Sequence, residues 1–189
     1  MSSLTANRAL PRVTLVLGGA RSGKSRHAES LIEKAAMGGV YCATAEGRDE
    51  EMARRIALHR ARRALRQRED GGAFWRTVEA PLELASAIAA HSGRETPILV
   101  DCLTLWLSNL LLAERAVGDE TERLFIELSR APGPIVLVAN EVGMGLVPET
   151  ALGRRFRDAQ GTLNQKLAAL AGRVVFLAAG LPLVLKEPG

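Results

Sequence analysis

The chain has 189 residues, 47% hydrophobic and 24% charged. It can therefore bury a full core in one domain without disulfide or metal staples, and it is globular rather than disordered in composition. Two cysteines exclude a disulfide-framed scaffold, and no apolar run reaches the ~18 residues of a membrane span. The net charge of +4 suits a small anionic ligand such as a nucleotide as well as it suits nucleic acid.

The first stretch, MSSLTANRALPR (1–12), lacks an apolar segment of signal-peptide length and reads as a short mobile leader; 13–189 reads as a single domain. VTLVLGG (13–19) is an apolar run ending in glycines, read as a strand. In 24–36, Ala28, Leu31, Ile32 and Ala35 recur at helical spacing until Gly38 and Gly39 stop the pattern. VYCATA (40–45) is a second strand, and a charged helix is expected from about Asp49 to Arg68, broken by EDGGA. WRTVE (75–79) is a short strand, and PLELASAIAA is a helix with proline near its start, where a missing N–H does no harm.

PILVDCLTLW supplies a buried strand leading into the helix LWLSNLLLAE, and ETERLFIELSRA is a further helix. GPIVLVANE is a strand, GRRFRDAQGTLNQKLAALA a helix, RVVFLAAG a strand, and PLVLK an edge hairpin or a tail. Apolar strands alternating with helices argue for an α/β domain around a mostly parallel sheet. With aromatics at only 4%, its core must rest on aliphatic residues. Cys42 and Cys102 fall in strand-like runs and are expected as thiol core filler in a reducing, cytoplasmic compartment.

Gly18-Gly19-Ala20-Arg21-Ser22-Gly23-Lys24-Ser25 matches G-x-x-x-x-G-K-[ST] in full, between a strand and a helix. Such a loop turns its N–H groups inward onto phosphate oxygens, and the helix that follows aims its positive end at the same point. Lys24 is expected at the β/γ phosphates and Ser25 on Mg²⁺. Asp101 ends the aliphatic run ILVD, where it reads either as the acidic partner of that metal or as the N-cap of the next helix. Glu79 and Glu141 also end strands, so each either reaches the ligand edge or is a surface or capping group.

The segment 48–68, RDEEMARRIALHRARRALRQR, is rich in arginine and has no lysine. At about 100° per residue, Met52, Arg55, Ile56, Arg62, Arg63 and Arg66 all fall within about 60° of His59. Three readings fit that face: a solvated basic helix with a bystander histidine, a nucleic-acid stripe, or a triphosphate clamp with a working histidine. A neutral histidine can attack phosphorus without first losing a proton. His27, one turn into the first helix and beside the phosphates, reads as packing or capping, and His91 as a surface residue. There is no zinc-type Cys/His spacing and no G-x-S-x-G elbow.

Four separated stretches, GGARSGKSRHAE (18–29), YCATAEGRDEEMARRIALHRARR (41–63), VDCLTLWLSNLL (100–111) and NEVGMGLVPETALGRRFRDAQGTLNQKLA (140–168), together with AAGLPLVLK near the end, carry a resemblance. From Val13 onward the chain resembles the bifunctional adenosylcobinamide kinase / adenosylcobinamide-phosphate guanylyltransferases of cobalamin biosynthesis. The resemblance implies a RecA-like P-loop NTPase fold and two reactions. One phosphorylates the aminopropanol hydroxyl of adenosylcobinamide from ATP or GTP; the other moves GMP from GTP onto that phosphate through a guanylylated histidine. Some members carry two adjacent histidines at that place; here Leu58-His59 leaves only His59 to serve.

The resemblance further implies nucleotide contacts at Ala45, Glu46 and Gly47; these join the loop 18–25 and the strand-end Glu79 as expected nucleotide-binding residues, with Mg²⁺ expected on Ser25 and Asp101. It implies a homo-oligomer, of which a trimer is one form, with Trp106 and LWLSNLLL at an interface or in the core. No nucleic-acid partner and no membrane span are expected. The rival readings are a P-loop small-molecule kinase without nucleotidyl transfer, a nucleic-acid-dependent ATPase using the arginine helix, and a nucleotide-holding sensor without turnover.

Overall fold

The structure, a computed structural model, describes residues 10–67 and 71–187. Most of the expected leader 1–12 and the Arg68, Glu69 and Asp70 of the expected helix end and breaker lie outside the described residues.

Seven strands form one sheet: β1 (Val13–Gly18), β2 (Gly39–Ala43), β3 (Trp75–Glu79), β4 (Ile98–Asp101), β5 (Ile135–Asn140), β6 (Arg173–Ala178) and β7 (Leu181–Lys186). They lie in the order β3-β2-β4-β5-β1-β6-β7. All neighbours from β3 to β6 pair parallel, and β7 runs antiparallel on the β6 edge. PLVLK thus completes a hairpin, turned by Ala179 and Gly180, both at positive φ. The helices are α1 (Lys24–Ala35), α2 (Glu50–Ala64), α3 (Leu84–His91), α4 (Leu103–Leu112), α5 (Val117–Arg130) and α6 (Ala151–Leu170). Among the described residues no helix is long and apolar enough to cross a membrane.

The central strands are buried on both faces, so neighbouring residues of one strand serve different cores. Leu15 and Leu17 join Leu84, Ile88, Trp106, Leu124 and Leu167 on the side of α3 to α6, whereas Val16 joins Ala28, Ile32 and Trp75 on the side of α1. Trp106 is fully buried and donates its indole N–H to the Leu82 carbonyl at 2.9 Å, so it belongs to the core. Both cysteines are buried thiols, as expected; burial raises Cys42 to about 12 and Cys102 to about 11.

The arginine helix is shorter than its composition suggests, ending at Ala64 rather than Arg68. Asp49 caps its start by accepting the Met52 N–H at 2.7 Å. Its end is set by tertiary pairing: Phe74 N–H donates to the Arg66 carbonyl and Gln67 bridges Ala73, so the chain doubles back into β3.

Candidate active site

The parallel register lines up the carboxyl ends of five strands. Ala43 stands opposite both Glu79 and Asp101, Asp101 opposite Val138, and Gly18 opposite Asn140. That edge, with the phosphate-type loop and α2 closing over it, forms a cleft of about 590 Å³. A volume of this order holds a nucleotide-sized ligand.

The loop 18–25 keeps its shape through its glycines. Gly18 has φ 150, and a Cβ there would sit 2.4 Å from the Leu177 carbonyl oxygen. Gly23 begins α1 from the left-handed region at φ 95, where a side chain is strained. Ala20, Arg21, Ser22, Gly23, Lys24 and Ser25 line the cleft; Gly18 and Gly19 do not. Lys24 is buried, with Nζ 2.5 Å from the Gly19 carbonyl and 3.5 Å from Ser22 Oγ. Burial lowers its pKa, and the nearby Cys102 and Asp101 oppose that.

Asp101 lines the cleft and does not cap α4; the N-cap position falls to Cys102. The Tyr41 hydroxyl donates to Asp101 Oδ2 at 2.6 Å, and burial, then the Asp101 charge, raise the phenol's pKa. The Arg63 guanidinium lies 3.5 Å over the Tyr41 ring, a cation–π stack. Arg63 is only 6% exposed, yet its Nε and Nη1 have no hydrogen-bond partner, and it lines the cleft. Buried donors of this kind are costly unless something accepts from them. Thr44 ties β2 to the start of α4, its Oγ1 donating to the Cys102 carbonyl at 2.7 Å and accepting the Cys102 N–H at 2.8 Å.

His59 is half-buried on the cleft with Met52, Arg55, Ile56, Arg62 and Arg63 of the face that helical spacing predicts; Arg66, expected on the same face, lies past the helix end, pairs with Glu33 and stands outside the lining. Burial lowers its pKa; Asp101 opposes this, while Arg62, Arg63 and Arg55 add to it. These influences favour the neutral imidazole, the form that has a lone pair to donate. Arg62 Nη2 lies 3.5 Å from His59 Nδ1 and donates to both oxygens of Glu29, each at 2.7 Å. Burial raises the pKa of Glu29, and Arg62 opposes that shift.

Glu79 lines the cleft and is bound by Arg60. Of Ala45, Glu46 and Gly47, only Ala45 lines it; Glu46 pairs with Arg48 and Gly47 lies against Ala53. Glu141 stands outside the lining, its Oε1 accepting the Gly143 N–H and its own N–H donating to the Gly18 carbonyl. His27 does not line the cleft either. Its Nε2 is buried without a partner, and burial, then Arg173 and Lys34, lower its pKa. His91 meets Arg76 at 3.1 Å, away from the cleft. Tyr41, Cys102, Leu105, Val138 and Asn140 line the cleft without any motif to mark them; only their places at strand ends, or one turn into α4, could have done so.

For a metal, the cleft offers the Ser25 hydroxyl and the Asp101 carboxylate, of which Tyr41 engages one oxygen. Two hard oxygen donors beside a phosphate loop fit Mg²⁺, which takes its remaining ligands from phosphate and water. Among the described residues no cluster of three His, Cys, Asp or Glu offers an all-protein cage.

Comparison with known proteins gives a consistent result. Residues 14–185 match the family described as cobinamide kinase / cobinamide phosphate guanyltransferase. The bifunctional adenosylcobalamin biosynthesis protein CobP of Pseudomonas aeruginosa is 49% identical over 177 residues, covering 92% of this chain and 98% of its own. The CobU proteins of Salmonella typhimurium and Escherichia coli are 42% and 40% identical, each over 91% of this chain and 98% of its own. Among solved structures, a protein of Pyrococcus horikoshii OT3 has a TM-score of 0.54 at 10% identity, covering 95% of this chain and 88% of its own. A solved ATPase domain has a TM-score of 0.53 at 12% identity, covering 94% of this chain and 78% of its own. These structural likenesses bear on the fold alone, which is that of P-loop NTPases.

Proposed function

Because the chain belongs to the cobinamide kinase / cobinamide phosphate guanyltransferase family, we propose that it performs both transfers in one cleft, with His59 as the group that carries GMP. The carrying observation is that Lys24, Ser25, Asp101 and His59 all line the same cavity. A kinase alone has no use for a neutral histidine facing its phosphates.

In the first reaction, the loop N–H groups and Lys24 hold the triphosphate while the hydroxyl of adenosylcobinamide attacks the γ-phosphorus, the bond from that phosphorus to the β–γ bridging oxygen breaks, the nucleoside diphosphate leaves and the hydroxyl proton passes to solvent. In the second, the His59 lone pair attacks the α-phosphorus of GTP and the bond to pyrophosphate breaks. An oxygen of adenosylcobinamide phosphate then displaces the imidazole, giving adenosyl-GDP-cobinamide. Arg63 offers its two unpartnered donors to phosphate oxygens, and Arg21 adds charge at the loop. Ser25 and Asp101 would hold Mg²⁺, which neutralises phosphate charge when bound. Transfers of this kind ask a protein chiefly for position and charge. Ala45 and Glu79 are proposed to meet the nucleotide; Glu46 and Gly47 shape the loop behind it. Residues 13–189 act as one catalytic unit in the cytoplasm, as a homo-oligomer that sedimentation would measure.

Incubation with α-labelled GTP and Mg²⁺ tests the assignment. Wild-type protein should take up acid-labile, base-stable label, and His59→Ala should take up none while still phosphorylating adenosylcobinamide. Label on His59→Ala would overturn the role of His59.

A further inference from the structure

The helix carrying His59 has almost no apolar anchorage. Of the fifteen residues of α2, the one fully buried is Arg63. Besides Arg60 on Glu79, two ion pairs from the last turn of α2 and the residues just past its end hold it instead, and both reach across to α1, the helix that starts at the phosphate loop. Arg62 Nη2 bonds both oxygens of Glu29 at 2.7 Å, and Arg66 Nε lies 3.2 Å from Glu33 Oε2. Glu29 and Glu33 stand one helical turn apart on α1, and Arg62 in α2 and Arg66 two residues past its end meet them in the same order, so the pairs form two successive rungs. The acidic side of both rungs is largely shielded, with side-chain exposures of 8% and 19%. The Trp75 indole N–H donates to the other Glu33 oxygen at 3.2 Å, fixing that carboxylate.

Each rung spans two parts of the proposed chemistry. On α1, Ser25, Glu29 and Glu33 follow one another at four-residue steps, so the carboxylates extend the face that begins at the phosphates. On α2, Arg62 lies one turn beyond His59 and touches its Nδ1 at 3.5 Å. We infer that Glu29 and Glu33 are positioning residues for guanylyl transfer: through Arg62 and Arg66 they set the distance between His59 and the phosphates. They have no corresponding role in phosphoryl transfer to the hydroxyl, which uses the loop on α1 and not His59. The inference rests on the proposed role of His59, and the two activities of the one enzyme serve as its internal control.

A charge-reversal cycle at the outer rung tests it. Glu33→Lys and Arg66→Glu should each slow self-guanylylation by α-labelled GTP about tenfold, since small misplacement of a reacting group costs rate steeply. Adenosylcobinamide phosphorylation should change less than about twofold, and the double variant should regain most of the labelling rate. Glu33→Gln keeps an acceptor for Trp75 and removes only the charge; it should show a milder form of the same selective loss even if the reversals fold poorly. In wild-type protein, added salt should depress labelling more than phosphorylation, because partly exposed pairs are screened. Parallel loss of both activities, unchanged labelling in Glu33→Gln, or a double variant no better than the single ones would overturn the inference. Unlabelled wild-type protein would instead overturn the role of His59 itself.

Discussion

At Lys24 two influences compete: burial draws the ammonium toward neutrality, and Asp101 and Cys102 favour its charge. A bound triphosphate adds to the second. Lys24→Met is therefore expected to lower the turnover of both reactions by about a hundredfold or more, read by steady-state kinetics of phosphorylation and of labelling. At His59 the signs run the other way. Burial and three arginines disfavour the imidazolium and only Asp101 favours it, so the neutral nucleophile persists below the ordinary histidine pKa of about 6.5. The acid limb of self-guanylylation should accordingly have its midpoint below about 6.5; a midpoint above that would contradict this. Arg63 gives a third expectation. Arg63→Met keeps an apolar stack on Tyr41 and removes two unpartnered buried donors. The free protein should melt no lower than wild type, while the upward shift of its melting temperature by GTP should shrink.

Among the elements, the P-loop was legible because its chemistry is written within eight consecutive residues. The working face of α2 was legible too, because helical spacing turns sequence separation into angle. Its end was not: the chain stops being helical where Phe74 and Ala73 return to pair with Arg66 and Gln67, and nothing local announces that return. Tyr41, Thr44 and Glu29 were missed for a related reason. Tyr41 matters because β2 lies beside β4, which brings its hydroxyl to Asp101, sixty positions away. Thr44 is a small polar residue until strand order places Cys102 against it. Thr44→Val should leave the Cys102 N–H without its partner and cost about 1–3 kcal/mol in urea unfolding, with a matching loss of activity as the start of α4 shifts.

For the molecule as a whole, runs of Val, Leu and Ile separated by helices announced an α/β sheet, and the sheet is parallel through six strands. The order of those strands was not readable, yet it is what gathers Glu79, Ala43, Asp101 and Val138 into one row. The terminal hairpin was half legible. PLVLK reads as an edge hairpin or a tail, and β7 proves an antiparallel edge strand exposed along its full length.

The phosphate loop at the end of β1 carries a kinetic consequence. In the proposed mechanism both transfers draw on it, so a chain whose loop held ATP would have no vacancy for GTP. On that reading the two reactions would take turns, and the ratio of the two nucleotides would govern loading of His59. An uncleavable ATP analogue should act as a purely competitive inhibitor of labelling by GTP, overcome by raising GTP; a noncompetitive pattern would require separate seats for the two nucleotides.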